Sequence, residues 1–203
     1  GKIALVIGAA GYSTLGEAIA LKLAGAGAEV AVHGPALDNG SVQAPMRSIG
    51  GLAEEIRTMG RKSVEVTGDP ADPSDVVQMF QRVVNELGGL DILVNSAGMV
   101  PGGPLLDAAE KTWEESLRAN LRAPFLCTQE AAKHMINGGQ DGMILHISSY
   151  AARTGVAGLG VYTATQFGLV GLVQSAALEL AEHGININVL AVGTFKEKLR
   201  VAS

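Results

Sequence analysis

A single cysteine, Cys127, leaves the chain without a partner for an internal disulfide and suits a reducing compartment. Its own expected role is that of a small apolar filler. No apolar run reaches the roughly 18 residues that a membrane-spanning helix requires, and no signal peptide is expected. A cytoplasmic location and no membrane partner are therefore expected. Charge is scarce, at 17% of the residues, and the net charge of −5 argues against nucleic acid as a partner. Neither an internal repeat nor a linker divides the sequence, so residues 1–203 are expected to form one domain. No metal site is expected.

What the chain does contain is aliphatic residues and glycine. The hydrophobic fraction is 47%, the mean hydropathy is +0.26, and there are 27 glycines. That balance fits a protein with buried parallel strands and many tight turns. Ile3–Ile7, Glu29–His33, Ser63–Val66, Leu90–Val94, Gly142–Ile147 and Ile185–Leu190 read as six strands with helical stretches between them. A striped helix follows Pro73, and a long one is expected from Lys111 towards Ile136, bent near Pro124. Such alternation predicts an α/β fold, a Rossmann-type doubly wound parallel sheet of order 3-2-1-4-5-6. Gly8-Ala9-Ala10-Gly11-Tyr12-Ser13-Thr14-Leu15-Gly16 sits between the first strand and first helix, where backbone N–H groups can meet a pyrophosphate. The Pro35–Ser48 stretch, rich in Gly, Pro, Ser and Asn, is expected to be the least ordered.

Ser149 falls at the carboxyl end of the fifth strand and Tyr162 in the first turns of the next helix. A hydroxyl and a phenol meeting at that edge can polarise a carbonyl and hand it a proton. This serine–tyrosine segment, with Asn95-Ser96-Ala97-Gly98 after the fourth strand, resembles the short-chain dehydrogenase/reductase family, and Pro104-Leu105-Leu106 with Phe125-Leu126-Cys127-Thr128-Gln129 resembles its 3-oxoacyl-carrier-protein reductases in particular. The resemblance spans essentially the whole chain. It implies an NAD(P)-dependent oxidoreductase that interconverts a ketone and a secondary alcohol. Tyr162 would be the general acid/base, Ser149 the carbonyl-polarising donor, and Asn120 a backbone anchor for water. Gly8, Gly11, Ser13, Gly16, Asp69, Asn95, Ala97 and Gly98 would hold the cofactor.

The sequence departs from the family's Tyr-x-x-x-Lys, because Gln166 stands where the lysine holds the cofactor ribose and lowers the tyrosine's pKa. Glutamine still hydrogen-bonds a ribose hydroxyl but carries no charge. The glycine spacing is about two residues longer than the family's, and Val192-Gly193 replaces its Pro-Gly. The family continues beyond the sixth strand, so the sequence reads as truncated there. These departures leave a second reading open, a non-catalytic dinucleotide-binding or structural subunit of the same fold. Gly34-Pro35 follows the second strand where NAD-binding folds place an acidic residue, which leans towards NADP, with NAD as the alternative. By the same resemblance, Trp113–Met135 and Leu159–Leu180 would carry a homodimer or homotetramer interface.

Overall fold

The computed structural model describes residues 1–10, 14–34, 48–139 and 141–193. The sequence-predicted Gly11 and Ser13, the Thr14 side chain and most of the Pro35–Ser48 stretch lie outside them. The sheet starts from Ile3–Ile7 (β1), an aliphatic run whose residues from Ala4 onward have almost no contact with solvent. Alternation along the strand divides the core: Leu5 and Ile7 pack on one face, Val6 on the other. The remaining strands are Glu29–His33 (β2), Ser63–Val66 (β3), Ile92–Asn95 (β4), Gly142–Ser149 (β5) and Ile185–Val192 (β6). All six run parallel in the order β3-β2-β1-β4-β5-β6, the predicted doubly wound topology.

Helices Thr14–Gly25 (α1) and Ile49–Thr58 (α2) cover one face. Pro73–Leu87 (α3), Ala123–Gly138 (α5) and Gly160–Leu180 (α6) cover the other. Local chemistry fixes their ends. Asp72 caps α3 by accepting from the N–H groups of Ser74 and Asp75 at 2.8 and 3.1 Å, Pro73 opens its first turn, and Gly88 closes it at φ 96°. Val76, Met79, Phe80 and Val83 then form one buried stripe.

Three expectations are corrected. β4 starts later than read, because Leu90 and Asp91 precede the pairing of Ile92 with Ala4. β5 runs two residues further, to Ser149, because β6 pairs with it along its whole length. The single bent helix expected from Lys111 is instead Glu110–Leu117 (α4), a π-helical turn over Arg118–Arg122, and α5. Pro124 explains the interruption. It has no N–H to give the carbonyl of Asn120 four residues earlier, and the chain widens by one residue before continuing.

Candidate active site

The strand order reverses between β1 and β4, the place where open parallel sheets bind ligands beyond their carboxyl ends. A cavity of about 660 Å³ lies there, lined by Asn95, Asn120, Ser149, Tyr162 and Gln166 among others. The structure therefore brings together residues from three distant stretches of the sequence.

Ser149 ends β5 in an extended conformation, and its hydroxyl accepts from the N–H of Ala151 at 3.2 Å, capping a 3-10 turn over Tyr150–Ala152. Tyr162 is the third residue of α6 and half-buried. Burial raises its phenol above the ordinary value, and a hydrogen bond with Ser149 partly offsets that. Gln166 lies one helical turn further on the same face, almost fully buried. Ser148 donates its hydroxyl proton to the Gln166 carboxamide oxygen at 2.7 Å, which leaves the amide group to serve as donor.

Asn120 occupies the π-helical turn and is buried. Its Oδ1 accepts from the Met99 N–H and its Nδ2 donates to the Met99 carbonyl, both at 2.8 Å. The same Nδ2 reaches Thr165 Oγ1 at 3.2 Å, and that hydroxyl donates to the Tyr162 carbonyl at 2.7 Å. One side chain thus ties the loop after β4 to the first turns of α6. Gly98 is required beside it: a Cβ there would stand 2.9 Å from Asn120 Oδ1.

Two histidines outside the sequence motifs complete the frame. His146 on β5, fully buried, faces Asn95 at the end of β4. Asn95 Nδ2 can only donate, so His146 Nδ1 accepts at 3.2 Å and its Nε2–H donates to Thr128 Oγ1 at 3.0 Å. Burial holds the ring neutral, its pKa lowered to about 4. His33 ends β2. Its Nδ1 accepts from the Gly8 N–H at 3.2 Å, its Nε2–H donates to the Gly68 carbonyl at 3.0 Å, and its carbonyl accepts from Ala9 and Ala10. Burial lowers its pKa, against the opposing pull of the Gly68 carbonyl and the Asp69 charge. The only signal for either residue was a polar side chain inside an aliphatic strand.

His33 changes the reading of the glycine turn. The N–H groups of Gly8, Ala9 and Ala10 are all engaged, so Gly8 contributes shape rather than an amide donor. It sits at φ 77°, and a Cβ would stand 2.6 Å from the Ala97 nitrogen. Gly16 gives close packing: its Cβ would stand 2.0 Å from the Gly8 carbonyl oxygen. Asp69 is less free than expected. One carboxylate oxygen accepts from the Ala71 N–H at 2.8 Å and the other pairs with Arg118 on the π-helical turn.

The sequence of residues 2–202 matches the family model described as short chain dehydrogenase. A 3-oxoacyl-[acyl-carrier-protein] reductase of Staphylococcus aureus is 35% identical over 192 residues, covering 95% of this chain and 74% of the relative. The crystal structure of acetoin dehydrogenase from Enterobacter cloacae superposes with a TM-score of 0.85 at 29% identity, covering 98% of this chain and 75% of that one. A short chain dehydrogenase from Burkholderia cenocepacia in complex with NADP gives 0.79 at 34% identity, covering 94% and 73%.

Proposed function

This chain belongs to the short-chain dehydrogenase family of NAD(P)-dependent oxidoreductases, and on that premise we propose that it interconverts a ketone and a secondary alcohol. The observation that carries the reading is the convergence of Ser149 and Tyr162 in one cavity at the sheet's switch point. The residues present fit a dinucleotide. Gly8 and Gly16 let the first turn pack closely on Ala97 and the first helix on that turn, while Asn95, Ala97, Gly98 and Gln166 line the open cavity at the switch point. Gly11, Gly16, Asp69, Asn95, Ala97 and Gly98 would hold the cofactor, with Gln166 donating to a ribose hydroxyl; bound there, the nicotinamide ring supplies or accepts the hydride.

The protein's own work is proton transfer and orientation. Ser149 donates a hydrogen bond to the substrate oxygen, and Tyr162 delivers its phenolic proton to that oxygen in reduction or removes it in oxidation. Asn120 holds the Met99 loop and the α6 turn so that these groups keep their spacing. With neutral Gln166 one turn away, the phenol gains no help in ionising, and turnover at neutral pH is slow. A subunit that binds dinucleotide without turnover is the second reading, favoured by the burial of Gln166 in the lysine's place.

The preference for NADP rests on Gly34, and a 3-oxoacyl substrate on the likeness to the Staphylococcus aureus reductase. Calorimetric titration with NADPH and NADH, followed by NADPH oxidation over a panel of ketones including a 3-oxoacyl thioester, tests the proposal. Tighter NADH binding would reverse the preference, and no binding of either below millimolar would refute the dinucleotide site. Self-association as a homodimer or homotetramer is part of the proposal, supported by the apolar groove between α4–α5 and α6 that Leu121, Phe125 and Leu172 line.

A further inference from the structure

The active-site cavity is distinctive in what its walls carry. No Asp, Glu, Lys or Arg is among the described residues that line it. The titratable groups there are Tyr150, Tyr162 and His146; burial raises the Tyr162 phenol above its ordinary value, which keeps it neutral near pH 7, and burial holds the histidine neutral as well. Gln166 completes this neutrality at the position where the sequence pattern calls for a lysine. The wall around the hydroxyls is apolar: Val156 and Leu159 are half-buried there, while Val100 and Tyr150 expose 63% and 58% of their surface at the same cavity. Arg153, the charged residue nearest to Ser149 in sequence, lines a separate groove between α6 and β6.

We infer that this site selects a neutral, apolar or aromatic ketone or alcohol and rejects the corresponding carboxylate, an inference that rests on the carbonyl–alcohol reading above. The physical reason is desolvation. An anion entering the cavity leaves water and meets no cation among the described lining residues, so these walls do not repay its lost hydration. A neutral ketone needs only the two hydroxyl donors for its oxygen and buries its body against Val100, Tyr150, Val156 and Leu159.

The test compares two ligands that differ only in charge, methyl 4-acetylbenzoate and 4-acetylbenzoate, by saturation-transfer NMR on the whole chain at pH 7, with and without NADPH. The ester is expected to bind at least ten-fold more tightly than the acid. Acid binding within three-fold of the ester, or failure of both to bind, overturns the inference. Val156→Arg places a cation in the wall and is expected to narrow the ratio at least ten-fold, whereas Val156→Gln, of similar reach and no charge, leaves it unchanged. Equal effects of the two variants would mean that shape rather than charge sets the preference, and would also overturn it. The wild-type ratio decides should the arginine variant not fold. Because the readout is binding, an ester that binds but is never reduced counts against the reductase reading alone.

Discussion

Replacing Gln166→Lys puts the strongest demand on this account of the site. Tyr162 and Gln166 stand one turn apart on the same face of α6, about 6 Å along the helix axis. A cation at that separation interacts with a phenolate by about 2.8 kcal/mol at an effective dielectric near 20, or about two pKa units. Burial works against the new charge, since position 166 is only 4% exposed, but the Ser148 hydroxyl 2.7 Å from the present carboxamide oxygen can accept from an ammonium. Keeping half of the attraction, about 1.4 kcal/mol, still gives about ten-fold in rate. Wild-type protein should oxidise a secondary alcohol slowly near pH 7, with activity climbing at alkaline pH, because burial raises the Tyr162 phenol above its ordinary value. The lysine variant should be at least ten-fold faster at pH 7, with its pH profile displaced towards acid. Tyr162→Phe in the lysine background should remove the gain. Steady-state pH–rate profiles of the three proteins measure this, and an ultraviolet titration of the phenol gives an independent check. A wild type already fast at pH 7, with a profile unchanged by the lysine, would refute the reasoning.

Acid should destabilise the fold through His146. The unfolded ring takes up its proton near 6.5 and the native ring near about 4, so stability is lost as pH falls through that window, by about 3 kcal/mol in all. Urea midpoints between pH 7 and 4.5 should fall less steeply in His146→Gln, which keeps an acceptor for Asn95 and a donor for Thr128; parallel curves would mean that other groups set the slope. Gly16→Ala drives a methyl to 2.0 Å from the Gly8 carbonyl oxygen and should cost about 1–3 kcal/mol by thermal unfolding, with weaker dinucleotide binding by calorimetry. Phe125, 45% exposed in the groove between α4–α5 and α6, should be central to self-association. Sedimentation at tens of micromolar should show Phe125→Glu shifted to monomer, and a wild type that is itself monomeric would rule that surface out.

The topology was legible in the sequence because aliphatic runs such as Ile3–Ile7 and glycine-bounded turns report local chemistry. Strand order then followed from the handedness of parallel crossovers. That Ser149, Tyr162 and Gln166 share one cavity was legible too, because they lie within eighteen residues on a strand end and one helix face. Sequence position alone assigned Gly8 to the phosphate turn, but only the fold showed its N–H engaged by His33, twenty-five residues away. The same holds for Asn120, whose partners Met99 and Thr165 come from different elements. The π-helical turn needed Pro124 to deny a hydrogen bond at one position and the packing around Asn120 to accept the widened backbone. Composition fixed the chain's low charge, whereas the absence of charge among the described residues of the cavity wall depended on which side chains the sheet edge gathered. Periodicity and turn chemistry act between near neighbours and can be read in one dimension. Hydrogen-bond partners, burial and the neutrality of a cavity are set by groups that only tertiary packing brings within a few ångströms of one another.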